Sequence, residues 1–406
     1  GYVYAWGNNE NGMIGNGTSD KDEVNRTPVR VQEKTSTGVL VDLSNIARIA
    51  VGENHVLALS TDGYVYAWGN NSNGQLGNGD TSSTNEKFHD NDTTDGIYAA
   101  QKVYRGESAA TNDDWYIQDV IDIAAGKSFS VALKADGTVW TWGLNTSYQL
   151  GIGDTMTRPV PTQVLAGASS TTEKYLKNIT AVAAGEGHVL VATTDGTMYS
   201  WGYNNWGQLG NNTTTTATKP VKVSNITNVA AISANYYNSM AMTSDGSVYT
   251  WGWNEYGQLG DGNWNEYHEE IISTEDVWGN CCWPTDTPLD SQRYRDHKHI
   301  KYKRVQDNNN VLSPQKINLK DIVAISAATG VNSNLDKDDE KLDLLNDNTS
   351  GGHTLALDKN GNVWAWGLNN KGQIGTNTDV KFEQIQLGFT TNGYTNDEGV
   401  VEGDSE

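Results

Sequence analysis

Ser60-Thr61-Asp62-Gly63-Tyr64-Val65-Tyr66-Ala67-Trp68-Gly69-Asn70-Asn71-Ser72-Asn73-Gly74-Gln75-Leu76-Gly77 reads as a strand end, a tight Asp-Gly turn, a second strand closing on Trp-Gly, and a glycine-punctuated loop. The same phrase returns along the chain, marked by Trp6-Gly7, Trp68-Gly69, Trp142-Gly143, Trp201-Gly202, Trp251-Gly252 and Trp366-Gly367. Self-similarity on this scale belongs to blades or solenoid coils, whose units cannot bury their apolar faces alone.

Each repeat offers four strand candidates: the Val-Tyr-x-Trp-Gly strand, a strand often opened by Pro (Pro28, Pro161, Pro220, Pro314), a small-residue strand such as Ala181-Val182-Ala183-Ala184-Gly185, and Val56-Leu57-Ala58-Leu59 with its cognates. Pro is tolerated at a strand start because the ladder does not need its missing N–H. Asp62-Gly63, Asp136-Gly137, Asp195-Gly196, Asp245-Gly246 and Asn360-Gly361 join the fourth strand to the first. The expectation is a two-residue hairpin turn with positive φ, which these residues tolerate. Val65 and Ala67 fall on one strand face, Tyr64, Tyr66 and Trp68 on the other, so both faces are apolar. A sheet covered on both sides fits blades stacked against blades, an all-β propeller of four-stranded antiparallel blades, with a solenoid as the alternative.

The pattern Ala-Ala-Gly-x-x-His-x-x-x-Ala-x-x-x-Asp-Gly-x-x-x-x-Trp-Gly-x-Asn-x-x-Gly-Gln-Leu-Gly, nearly complete over residues 183–210, resembles the regulator-of-chromosome-condensation repeat. The resemblance implies a β-propeller, usually seven-bladed, and interaction roles: the founding member exchanges nucleotide on a small GTPase and docks on chromatin, and a bacterial relative is a secreted β-lactamase inhibitor. Phe129 and Asn238 replace the repeat histidine, and Asn235 replaces the glycine before it.

Five complete four-strand sets and half a set at the N-terminal end fill residues 1–390, which makes six or seven blades for the ring and suggests a slice of a longer protein. Residues 391–406 read as an acidic linker or a truncated return strand. Three excursions, 78–101, 263–313 and 328–352, leave the repeat between strands that turn at one end, so all three should decorate one propeller face, where functional elaboration is expected.

Charge narrows the partner. Twenty-eight basic against fifty acidic residues give a net charge of -22, which argues against nucleic acid, whose phosphates need a basic surface. No run of about 18 apolar residues is present to span a membrane. The Asn, Thr and Trp-rich composition points to a bacterial secreted or cell-surface protein.

Candidate binding residues follow from the loops. After Trp-Gly, two repeats carry Tyr203, Trp206, Trp253 and Tyr256 where two others carry Asn8, Asn11, Asn70 and Asn73, and the neighbouring excursion adds Trp264, Tyr267, Trp278 and Trp283. On a shared face these form an aromatic patch suited to a protein hot spot or to sugar stacking; alternatively the excursion folds over the loops and buries its own aromatics as a small satellite core. Arg293 and Arg295, with Lys298, Lys301, Lys303 and Arg304, form a basic cluster, read as a partner contact or as internal pairing with Asp336, Asp338, Asp339, Glu340, Asp343 and Asp347.

His55, His188 and His353 recur at one repeat position that Phe129 and Asn238 also fill, so they read as structural. Cys281 and Cys282 with His268, His297 and His299 match no zinc-site spacing. Calcium is the one cofactor with any sequence support, in the oxygen-rich stretches 90–96 and 336–340, although Asp95 and Lys341 stand at the sixth position where a calcium-binding helix–loop–helix has glycine. No nucleophile elbow, phosphate loop or His-Glu-x-x-His occurs, so an enzyme is not expected. The reading is a non-catalytic recognition scaffold for a protein or cell-surface partner. The alternatives are a carbohydrate-binding module using the loop tryptophans and a self-associating surface or fibre subunit.

Overall fold

The computed structural model describes residues 1–35, 37–79, 81, 98–106, 115–167, 172–254, 257–262, 267–276, 298–306, 310–328, 353–367, 385–387, 389–390 and 393–394. Apart from a 3-10 turn at Glu10–Gly12, its regular structure is β. An antiparallel pair, β1 (Tyr4–Asn9) and β2 (Asp20–Arg30), comes first, followed by the short hairpin β3 (Gln32–Lys34) and β4 (Leu40–Asp42).

Five four-stranded antiparallel blades follow. Blade one is β5 (Ile46–Val51), β6 (His55–Ser60), β7 (Val65–Gly69) and β8 (Gln101–Lys102). Blade two is β9 (Val120–Ala125), β10 (Phe129–Lys134), β11 (Val139–Gly143) and β12 (Arg158–Gln163). Blade three is β13 (Ile179–Ala184), β14 (His188–Thr193), β15 (Met198–Gly202) and β16 (Ala217–Lys222). Blade four runs β17 (Val229–Asn235), β18 (Asn238–Thr243) and β19 (Val248–Gly252), then a separate hairpin of β20 (Tyr267–Asp276) and β21 (Lys298–Gln306), and closes with β22 (Val311–Lys316). Blade five is β23 (Ile322–Ala328), β24 (His353–Asp358), β25 (Val363–Gly367) and β26 (Ile385–Leu387), after which β27 (Phe389–Thr390) and β28 (Gly393–Tyr394) pair with each other. The five complete sets and the N-terminal half set are those read from the repeat.

The small-residue strands β5, β9, β13, β17 and β23 touch one another from blade to blade, which makes them the innermost strands around the axis. Alanines suit that tight radius. Between blades the core is a series of clusters. Val65 and Ala67 of β7 pack with Trp142 of blade two, while Tyr66 and Trp68 face Val3 and Val31 beside β1 and β2. Both faces of the strand are therefore buried.

The wedge tryptophan is the repeated joint. Trp68, Trp142, Trp201, Trp251 and Trp366 are at most 1% exposed. Each donates its indole N–H to a main-chain carbonyl of the preceding unit, at Met13, Gln75, Gln149, Gln208 and Gln258, over 2.9–3.0 Å. Trp6 occupies the same repeat position and is 62% exposed, with no preceding blade among the described residues.

The hairpin turns differ from expectation in type. Gly63 has φ +85°, but Asp62 is not in the left-handed region. The Gly63 N–H bonds Ser60 C=O, and the Ser60 N–H bonds Tyr64 C=O. Thr61-Asp62-Gly63 is thus a three-residue loop, a right-handed turn followed by one left-handed glycine, rather than a two-residue turn with both φ positive. The aspartate serves as an acceptor instead: in the cognate turns Asp136, Asp195 and Asp245 take backbone N–H bonds from Thr138, Thr197 and Ser247.

Candidate functional site: an aromatic mouth between blades three and four

In blades one to four the inner loop and the outer loop that follows Trp-Gly meet at one end of the blade. In each of these four blades the first residue after Trp-Gly donates its N–H to the carbonyl of the inner loop of the same blade: Asn70 to Asn54, Leu144 to Ser128, Tyr203 to Gly187 and Trp253 to Tyr237. The outer loop is then locked from within. Asn71, Asn145, Asn204 and Asn254 are buried, and each Oδ1 accepts the N–H of the leucine five residues on. This explains the Gly-x-Asn-x-x-Gly-Gln-Leu-Gly phrase: Asn holds the loop, while the first and last of its three variable positions are free to present side chains.

In blades three and four those positions hold rings. Trp206 reaches across the blade boundary, 6.4 Å from the Tyr237 ring and 6.2 Å from that of Trp253. Tyr203 lies 5.4 Å from Tyr237, and Tyr236 lies 4.2 Å from Tyr237 and 5.9 Å from Trp253. Tyr237 also meets Trp253 edge-on at 6.1 Å. These are the spacings of mutually supporting aromatic pairs. Trp253 is only 7% exposed and forms the base, whereas Tyr203, Trp206, Tyr236 and Tyr237 are half-buried and form the surface.

Of the expected binding residues, Tyr203, Trp206 and Trp253 come together. Tyr256, Trp264, Trp278, Trp283, Arg293 and Arg295 lie outside the described residues. So do the calcium-like stretches 90–96 and 336–340, and Cys281, Cys282 and His297 of the cysteine–histidine set. Of the basic cluster, Lys298, Lys301, Lys303 and Arg304 lie on β21. In the hairpin register Arg304 faces Glu269, Lys303 faces Glu270, Lys301 faces Ser273, and Lys298 faces Asp276. The expected acidic partners, 336–347, lie outside the described residues.

Tyr236 and Tyr237 were not singled out from the sequence. The available signal was the break in the repeat, Asn235-Tyr236-Tyr237-Asn238 standing where Gly185-Glu186-Gly187-His188 gives the regular inner loop. Also unmarked was the charged neighbour of the rings. The Glu186 N–H bonds Tyr236 C=O at 2.8 Å, and the Glu186 carboxylate holds Lys127 Nζ at 3.2 Å, with the Glu53 carboxylate 3.7 Å from the same ammonium. Burial first, then the charges of Glu186 and Glu53, pushes the Tyr236 hydroxyl up to about 12. The same order of causes, burial then Glu186, raises Tyr237 further, and burial followed by weaker effects raises Tyr203. All three phenols are therefore neutral near pH 7.

The repeat histidines lie elsewhere. His55 and His188 are fully buried at blade joints, each against a serine of the next blade, which agrees with a structural role. Among the described residues no three His, Cys, Asp or Glu side chains converge to hold a metal. Nor, among those residues, is any helix long and apolar enough to cross a membrane.

Comparison with known proteins agrees with the geometry. The model of the RCC1-like domain matches residues 1–279, and that of the regulator of chromosome condensation (RCC1) repeat matches residues 349–373. The E3 ubiquitin-protein ligase HERC2 of Homo sapiens is 32% identical over 260 residues, 56% of this chain and 5% of that protein. The ultraviolet-B receptor UVR8 of Arabidopsis thaliana is 30% identical over 208 residues, 51% of this chain and 38% of that protein. This chain thus spans well under half of either relative. Among solved structures, human WBSCR16 shares the fold with a TM-score of 0.61, at 18% identity over 97% of this chain and 78% of that one. Blades, wedge tryptophans and locked outer loops are the repeat made visible, and the chain belongs to the RCC1-like domain family.

Proposed function

We propose that this chain is a non-catalytic recognition scaffold that binds a protein partner through the aromatic mouth of blades three and four. One observation carries the reading: five rings from two blades converge at the end where the inner and outer loops meet, with Trp206 half-buried above a buried Trp253. A Trp/Tyr cluster with a fixed base and a partly exposed top has the composition and rigidity of an interface hot spot. The outer loop that presents Trp206 is pinned by Asn204, so binding would order little that is not already ordered.

The family supports a scaffold rather than a chemistry. HERC2 is named as a ubiquitin ligase and UVR8 as a light receptor, so the shared domain does not fix one activity. An extracellular or cell-surface setting belongs to the proposal on composition alone.

The test is selection from a displayed random-peptide library on the whole chain, with counter-selection on Trp206→Ala. Enrichment that depends on Trp206 is expected. Pools that bind both proteins equally, or no enrichment, would remove this mouth as the binding surface.

A further inference from the structure

Resting on that reading, we infer that the mouth takes a positively charged side chain of the partner, arginine above all, seated on the rings of Trp206, Tyr203 and Tyr237 with Glu186 as its counter-ion. The partner is then a protein presenting a basic segment on its surface.

Four observations converge on this chemistry. The first is the rings themselves, which attract a cation over their faces, tryptophan most strongly and guanidinium most readily. The second is Glu186. Its N–H bonds Tyr236 C=O at 2.8 Å, which sets this acidic residue beside the tyrosines of the cluster. The third is Lys127. Its ammonium is already held between two carboxylates, Glu186 at 3.2 Å and Glu53 at 3.7 Å, so this mouth accepts one cation and still keeps an excess negative charge. The fourth is the molecule as a whole: a net charge of -22 draws basic partners in and repels acidic ones.

The same chemistry is used within this chain. Lys102 Nζ stands 4.1 Å from the centre of the Tyr64 ring, and the Arg30 guanidinium stands 4.3 Å from that of Tyr2. An acidic peptide would meet Glu186 and Glu53 with one lysine to offset them. A neutral sugar would gain from the rings but would leave the carboxylate without use. An arginine satisfies both.

The experiment measures binding of a labelled arginine-containing peptide and of its citrulline counterpart, equal in shape but neutral, at an ionic strength of about 0.15 M, where distant charges are screened. Arginine is expected to bind at least about fivefold tighter than citrulline, the ratio of a single cation–π contact. Trp206→Ala and Glu186→Gln should each remove that preference. Lys127→Met, which releases two carboxylates, should strengthen arginine binding, while Lys359→Met, an equal charge change at the Asp321 ion pair of the opposite end, should not. If Lys127→Met and Lys359→Met act alike, only the overall charge is at work and the inference falls. If citrulline binds as well as arginine yet Trp206→Ala abolishes both, the mouth remains a binding surface and the cation is wrong. Binding insensitive to Trp206 overturns both readings. Lys127→Met keeps the test decisive even if a ring variant misfolds, because it predicts a gain.

Discussion

His55 Nε2 lies 3.0 Å from Ser130 Oγ across the joint between blades one and two, with both side chains fully buried. The serine hydroxyl donates to Gln75 C=O at 2.8 Å, so its oxygen is left to accept, and the imidazole must be the neutral form protonated at Nε2. His188 and Ser239 repeat the arrangement at 2.9 Å between blades three and four. At the joint between blades two and three the two places are held by Phe129 and Val189, both buried and apolar. The position is therefore filled as a cross-blade pair, polar with polar or apolar with apolar. Ser130→Val alone should cost about 1–3 kcal/mol, because it strands a buried imidazole N–H. Adding His55→Phe should cost much less than a second independent loss, and a double-mutant cycle by chemical denaturation measures the coupling. Additive losses would dissolve the pair.

These histidines also set a pH dependence. Burial lowers His55 to about 4 and His188 to about 3, against the usual 6.5 that each has in the unfolded chain. Above pH 6.5 neither state binds the proton and stability is unaffected. Between 6.5 and the folded values the unfolded chain takes up protons that the folded chain refuses, so stability falls as pH falls. The loss across that window is on the order of 3 kcal/mol for His55 and 5 kcal/mol for His188. Melting temperature against pH should drop from pH 6.5 downward, and the drop should shrink in His188→Phe/Ser239→Val. An unchanged slope in that variant would assign the acid sensitivity to other groups.

Much of this architecture was legible because it is periodic. Trp-Gly, Asp-Gly and the Gly-Gln-Leu-Gly loop recur in register, and a recurring phrase can be assigned without knowing any contact. What was illegible is what the repeat leaves. Asn235-Tyr236-Tyr237-Asn238 breaks the pattern, and a break shows that something differs without showing what it meets. Tyr237 gains its place from Trp206, which belongs to another blade and lies 31 residues away by number. Glu186 fell within the regular phrase and so carried no mark, although Lys127 and the tyrosines make it the charged centre of the mouth. The turn type is hidden in the sequence for a related reason. Asp-Gly is compatible with both hairpin forms, and the choice rests on strand register, Leu59 facing Val65.

The wedge joint predicts a cost at both of its members. A Cβ added at Gly77 would lie 2.8 Å from Trp142 Nε1 and 2.7 Å from Val103 Cγ1, on a backbone with φ +69°. Neither neighbour can retreat, since Trp142 and Val103 are fully buried. Gly77→Ala should therefore destabilise by at least about 1 kcal/mol from backbone strain alone, with the contact adding to it. Trp142→Ala should cost about 3–5 kcal/mol, and Trp142→Phe less, keeping bulk while losing the bond to Gln75. Denaturant titration checks all three. A Gly77→Ala protein as stable as the parent would mean that the joint is loose.

The aromatic mouth separates residues that hold it from residues that present it. Tyr237 stacks with Tyr203, Trp206, Tyr236 and Trp253, so it is the hub. Trp206 is the rim, half-buried, with its own main chain fixed by Gln208 rather than by its ring. Tyr237→Ala should uncover Trp253, shift tryptophan emission to the red and lower stability by about 2–4 kcal/mol, as expected when a large packed side chain is truncated. Trp206→Ala should cost about 1 kcal/mol of stability, the worth of the ring pairs it leaves, while removing binding. The two effects are thus expected to divide: stability follows the hub and affinity follows the rim. If Trp206→Ala proved as damaging to stability as Tyr237→Ala, the cluster would be a satellite core whose rings face one another and leave nothing for a partner.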